Sequence, residues 1–178
     1  MKQKITSAAT SGNHMPAIFG LINKVYRQPE HFWAYINDCL DYGCGKFSKL
    51  TDELAKIGVR NLTYDPFNCS KSHNDFVLKL LKAKRADMAI CSNVLNVIKS
   101  PLVRQEALEN IKCGIKPDAP VFITIYEGKY KDSRGRRTSC GWQANRPTKN
   151  YLREIRKVFP DAFICLGNRL IVANAGKA

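Results

Sequence analysis

The sequence predicts an α/β fold: one domain with a mostly parallel twisted sheet, helices on both faces and a C-terminal antiparallel hairpin. Three observations predict it. Short β-rich runs alternate with stretches of helical apolar spacing, the pattern of βαβ units and hence of a parallel sheet. An acidic residue followed by two glycines joins the first such strand to the next helix (residues 40–45), and residues 162–174 turn on Gly167 and Asn168 as a hairpin does. A length of 178 residues favours one domain, and 44% hydrophobic residues supply its core.

Residues 1–14 are polar, small and basic without periodicity, so a flexible arm is expected before a domain over 15–178. Ile18, Leu21, Ile22 and Val25, then Phe32, Trp33 and Ile36, recur at helical spacing broken at Pro29, which predicts two short helices. A strand over 38–43 follows. Phe47, Leu50, Leu54 and Ile57 share one face of a helix over 46–58, with Gly58 as its C-cap. The second strand (60–65) closes at Pro66, and Phe76, Leu80 and Leu81 mark a helix over 74–85. A strand over 86–95 runs into a polar turn, and the helix over 101–114 opens on Pro101 and closes on Gly114. Residues 119–128 are the most β-rich of the chain, a buried strand. A basic segment (129–149), a helix (148–159) and the hairpin complete the order.

Twenty-nine Lys and Arg against fifteen Asp and Glu leave a formal charge of +14, which favours a polyanionic partner or merely aids solubility. The seven cysteines show no CxxC pair and no metal-ligand spacing, so no metal is expected and most read as small buried hydrophobes in a reducing compartment. No stretch reaches the ~18 apolar residues of a membrane span, and residues 1–14 lack an apolar signal core. A cytoplasmic protein without membrane contact is the expectation; the oligomeric state is left open.

The chemistry concentrates at residues 40–45. Two glycines after an acidic strand end let the backbone turn sharply and approach a ligand at the following helix. Asp65 ends the next strand 20 residues after Gly45, where a carboxylate takes the hydroxyls of a ribose. On these residues the sequence resembles the class I S-adenosylmethionine-dependent methyltransferases, with Asp41, Gly43 and Gly45 in register and Phe47 in place of the family's third glycine. Polar residues ending in Met15-Pro16 and the stretch 141–160 extend the resemblance to small phage and bacterial methyltransferase-like proteins, over roughly residues 7–173. It implies a Rossmann-like domain, S-adenosylmethionine as cofactor, and cofactor contacts from Asp41, Tyr42, Gly43, Gly45, Asp65, Pro66, Ser92, Asn93 and Val94. The family's third-strand adenine residue has no clear counterpart in the short gap between Asp65 and Asp87. Asp75 is a candidate there, and a helix N-terminal charge is the plainer reading of it.

An enzyme of this family binds the methyl donor, excludes water and aligns the acceptor. Asn93, Tyr126 and Glu127 are candidates for catalytic roles at strand ends. Residues 129–149 carry seven basic residues against Asp132, with Tyr130 and Trp142 interleaved; they could grip phosphates and stack on bases of DNA or RNA as a lid. Arg134, Arg136, Arg137, Trp142, Gln143 and Arg146 are the candidate substrate contacts. No proline pair follows the fourth-strand segment and no cysteine follows a proline, which disfavours two known routes to DNA methylation. The leading expectation is a methyltransferase acting on nucleic acid. Alternatives are a small-molecule or protein acceptor, and a non-catalytic or lyase-type binder of the cofactor. A nicotinamide enzyme is weakened because G-x-G-x-x-G spacing is missing.

Overall fold

The computed structural model describes residues 15–128, 132–139 and 141–174. The predicted arm, Tyr130 and most of the chain's last residues lie outside them. The elements run α1 (Ala17–Val25), α2 (Pro29–Ala34), β1 (Asp38–Tyr42), α3 (Lys49–Lys56), β2 (Arg60–Tyr64), α4 (Lys71–Ala83), β3 (Met88–Ser92), a 3₁₀ turn (Leu95–Val97), α5 (Pro101–Gly114), β4 (Val121–Thr124), β5 (Asp132–Thr138), β6 (Gly141–Asn145), α6 (Lys149–Ile155), β7 (Phe163–Cys165) and β8 (Leu170–Ala173). Six strands form one sheet in the order β2-β1-β3-β4-β8-β7. The first four are parallel, and β8 and β7 add antiparallel at one edge as the predicted hairpin, its turn carrying left-handed Leu166, Gly167 and Asn168. Among the described residues no helix is long and apolar enough to cross a membrane.

Strand periodicity explains the layers. Ala89 and Cys91 of β3 face a core with Leu108 and Ile111 of α5 and Ile155 of α6, while Met88 and Ile90 face a second core with Ile18, Ile22 and Leu54. A parallel strand buried on both faces reads as an apolar run, as β4 does through Val121, Phe122 and Ile123 before ending on buried Thr124. The amino-terminal end of the sheet is pinned by charge. Asp38 accepts from Arg60 Nε at 2.7 Å and Lys84 Nζ at 2.9 Å, and Asp87 accepts from the backbone of Asn37 and Asp38 and pairs with Lys116. That leaves the carboxyl end for a site.

Two expectations change, while the short gap between Asp65 and Asp87 holds a helix and no strand, as expected. Helix α4 starts at Lys71, earlier than its apolar stripe implied, because Ser70 caps it by accepting from the His73 backbone N–H. Its buried residues are Asn74, Val77 and Leu81, whereas Phe76 is 59% exposed. Between Asp65 and β3 there is a helix and no strand, so β2 is a sheet edge; His73 Nε2 stands 2.8 Å from the Thr63 carbonyl on it. The basic segment, expected as a long flexible lid, contains the hairpin β5–β6. Gly135 has φ 75°, and a Cβ there would lie 2.1 Å from the Trp142 ring, so glycine is what lets the indole lie flat on the hairpin.

Arg104 is a charge on the buried face of α5, in line with Ala107, Leu108 and Ile111. It is 1% exposed on α5, forks onto both oxygens of Glu154 at 2.6 and 2.7 Å, and donates from Nη1 to the carbonyls of Ile98 and Lys99. Removing it strands Glu154 and two carbonyls. Arg104→Met is therefore expected to lower stability by about 3 kcal/mol, read from urea unfolding midpoints, and an unchanged midpoint would show that the pair contributes nothing.

Candidate cofactor and acceptor site

The carboxyl ends of β1, β2, β3 and β4 open on a cavity of about 1920 Å³. Asp41, Tyr42, Gly43, Gly45, Asp65, Pro66, Ser92, Asn93 and Val94 all line it, so the sequence candidates for the cofactor converge. The glycine turn is built by close approach. Gly43 has φ 80° and donates to the Tyr64 carbonyl at 2.7 Å, and a Cβ on it would meet Val94 Cγ2 at 2.3 Å. Asn93, also left-handed, donates through its backbone to the Thr124 carbonyl, and the Ser92 and Thr124 hydroxyls lie 3.0 Å apart.

Asp65 is the anchor of this end. Asn74 clamps its backbone, accepting from the Asp65 N–H at 3.1 Å and donating to its carbonyl at 3.0 Å. Its Oδ1 accepts from the backbone of Phe67 and Asn68, and its Oδ2 accepts from the Gly45 N–H at 3.0 Å and from Asn68 Nδ2 at 2.9 Å. A carboxylate has about four lone-pair sites, so this one is filled. The carboxylate expected to face a ribose is thus also the group that ties the glycine turn to the turn after β2. Any hydroxyl it accepts must displace one of these donors.

Asp41 is the opposite case. It is 5% exposed, and its one side-chain donor among the described residues, Asn61 Nδ2, is 3.3 Å away. Burial pushes its carboxyl up to about 7, with Asn61 pulling down weakly and the neighbouring Asp65 charge adding to the rise. A buried carboxylate so poorly compensated fits a cationic ligand in the cavity. S-adenosylmethionine, with its sulfonium and ammonium groups, is such a ligand.

The acceptor end is more mixed. Tyr126 and Glu127 line the cavity; Tyr126 is 53% exposed, and Glu127 Oε1 accepts from the Thr148 N–H at 2.7 Å, closing the base of the hairpin. Of the predicted substrate contacts, Trp142 and Gln143 line the cavity, and Arg134, Arg136, Arg137 and Arg146 do not. Trp142 is 6% exposed, with its ring packed against Gly135. Arg146 lies over the Tyr151 ring at 5.9 Å, while Arg134, Arg136 and Arg137 are exposed. Phe67, Asn68, Lys99, Ser100 and Arg169 also line the cavity and were not singled out from the sequence. For Asn68 a signal existed: residues 65–68 read Asp-Pro-Phe-Asn, a turn former in which the aspartate accepts from the backbone two and three residues on.

A family model described as a methyltransferase domain matches residues 21–160. No curated protein matches the chain by sequence. Among solved structures, the glycopeptide N-methyltransferase MtfA is similar with a TM-score of 0.58 at 9% identity, covering 88% of this chain and 92% of its own. The mitomycin 7-O-methyltransferase MmcR gives a TM-score of 0.53 at 13% identity over 88% of this chain and 52% of its own. Human N-acetylserotonin methyltransferase, solved in complex with SAM, gives 0.53 at 15% identity over 85% of this chain and 50% of its own. The chain spans about half the length of the latter two. At these identities the likeness is one of fold. The chain belongs to the family of this methyltransferase domain.

Proposed function

We propose that the chain transfers a methyl group from S-adenosylmethionine to an acceptor that enters between the end of β4 and the hairpin β5–β6. The observation that carries this is the convergence of the glycine turn, the Asp65 turn and residues 92–94 around one cavity. When bound, the cofactor supplies an electrophilic methyl on a sulfonium, so the protein's task is to position and desolvate rather than to activate a leaving group. Gly43 and Gly45 let the backbone approach the ligand. Asp41 opposes its positive charge, Asp65 meets its ribose after yielding a donor, and Ser92, Asn93 and Val94 wall its methionine end. Tyr126 and Glu127, at the mouth of β4, are the groups nearest the acceptor's path; the Glu127 carboxylate that holds Thr148 is suited to orient an acceptor N–H or O–H.

The acceptor we favour is a nucleic acid. Arg134, Arg136 and Arg137 are exposed on one strand of a hairpin whose other strand lines the cavity, so phosphates held outside would bring a group to the methyl donor inside. Arg136→Ala/Arg137→Ala is expected to reduce the log–log salt slope of duplex or single-strand binding by about 2 if each arginine neutralises one phosphate, without changing cofactor affinity. An unchanged slope would leave the hairpin as a surface only. A second reading, an acceptor small enough to enter whole, is favoured by the burial of Trp142 and by the arginines standing outside the cavity. Offering methyl-labelled cofactor with nucleic acid, metabolite or protein fractions tests both: label in nucleic acid supports the first, label in metabolites or proteins the second, and none in any fraction contradicts methyl transfer.

A further inference from the structure

Cys44, between the two glycines of the turn, and Cys69, at the end of the Asp65 turn, bring their sulfurs to 3.7 Å. Both are half-buried and neither is in a disulfide. The two segments they sit on are already joined by the Gly43–Tyr64, Cys44–Tyr64 and Gly45–Asp65 hydrogen bonds, so a covalent link there would follow existing contacts. Closing to a bonded separation of about 2.05 Å needs side-chain rotation rather than refolding.

We propose that Cys44 and Cys69 are an oxidation site at which a peroxide forms a disulfide that locks the glycine turn to the Asp65 turn at the cofactor end of the cavity. The inference rests on the cofactor reading above. In the first step the peroxide transfers one oxygen to the Cys69 thiol, giving a sulfenic acid and water. In the second the Cys44 sulfur attacks the Cys69 sulfur; the S–S bond forms, the S–O bond breaks, and the hydroxyl leaves as a second water with the Cys44 proton. Two thiols lose two electrons and the peroxide gains them. Burial, together with the Asp41 charge, pushes the Cys44 thiol well above the usual range, so its attack on the sulfenic acid is the slow step.

The consequence for binding follows from Asp65. Its oxygens are filled by Gly45, Phe67 and Asn68, so admitting ribose hydroxyls requires the glycine turn and the 65–69 turn to shift relative to each other. A disulfide keeps the two Cα atoms within about 7 Å and resists that shift. The same crosslink stabilises the fold.

The test uses the full chain with S-adenosylhomocysteine as probe. After hydrogen peroxide, the protein should lose two titratable thiols, show a peptide linking residues 44 and 69, melt about 5–10 °C higher and bind the probe at least about tenfold more weakly in calorimetry, all reversed by dithiothreitol. Cys69→Ser should bind like the reduced protein and ignore peroxide, while Cys113→Ser, at an exposed cysteine elsewhere, should respond like wild type. Equal affinity before and after oxidation, or no 44–69 peptide, overturns the inference. Failure of the reduced protein to bind the probe overturns the cofactor reading instead, and with it the consequence for binding; the peptide map then still decides the crosslink.

Discussion

Replacing Asp65 with alanine is expected to abolish measurable cofactor binding, by at least about 100-fold, and to lower stability by about 3–5 kcal/mol. The two losses share one cause. Asp65 gathers the Gly45, Phe67 and Asn68 N–H groups and the Asn68 amide, so without it the glycine turn and the turn after β2 lose their common acceptor. Asn74 still clamps the backbone at residue 65, which should leave β2 and α4 in place. Asp65→Asn separates the effects. Its Oδ1 can still accept from two N–H groups, so it should recover part of the stability while binding stays weak. Calorimetry with S-adenosylhomocysteine and urea unfolding of the two variants measure both; full affinity in the alanine variant would show that the ribose lies elsewhere.

Asp41→Asn is expected to act in the opposite direction on stability. The folded-state carboxyl titrates near 7, above its ordinary value, because it is desolvated. The folded protein therefore holds that proton over a range where the unfolded chain has lost it. Stability falls as pH rises from about 4 through 7, and at pH 8 the buried charge costs on the order of 4 kcal/mol. Asparagine removes that cost. The variant should be more stable than wild type at pH 8, little changed at pH 5, and flatter across the window in Tm. Cofactor affinity should move the other way. A cationic ligand prefers the ionised carboxylate, so wild-type affinity should fall up to about tenfold per pH unit below pH 7, and the variant should bind weakly with no such dependence. Equal pH profiles of stability in the two proteins would contradict the placement of Asp41 as an uncompensated buried charge.

These two aspartates were legible as a pair from their positions at successive strand ends, and so was the glycine turn between them. Spacing could not show that the two carboxylates differ, because the difference lies in their donors among the described residues: Asn61 for Asp41, and a full set around Asp65. The strand and helix order followed from apolar periodicity, including the terminal hairpin. What escaped was structure made by polar or unusual residues. Arg-rich β5 has little intrinsic strand character, and it pairs with β6 over the Trp142–Gly135 contact, a long-range packing feature that no local pattern encodes. Asn74 and Arg104 are polar residue types on the buried faces of their helices, in line with Val77 and Leu81 and with Ala107, Leu108 and Ile111, and they are tolerated there because their hydrogen bonds are satisfied by the Asp65 backbone and by Glu154. Trp142 illustrates the converse: an aromatic among basic residues has the composition of a base-stacking surface, yet its ring is used within the hairpin.

The arginines, in turn, lie on the outside of that hairpin, so charge and cavity meet at an edge rather than inside. A polyanion could be gripped there while only one flipped or terminal group reached the donor. Selectivity would then come from the cavity between Tyr126, Glu127 and Gln143, and affinity from the hairpin.

Calorimetric titration of the reduced protein with S-adenosylmethionine, S-adenosylhomocysteine and NAD tests the central claim most directly. One-site binding of the first two, lost in Asp65→Ala, with no heat from NAD is the predicted result. Binding of NAD in place of the adenosyl-sulfur ligands, or of none of the three, would contradict it.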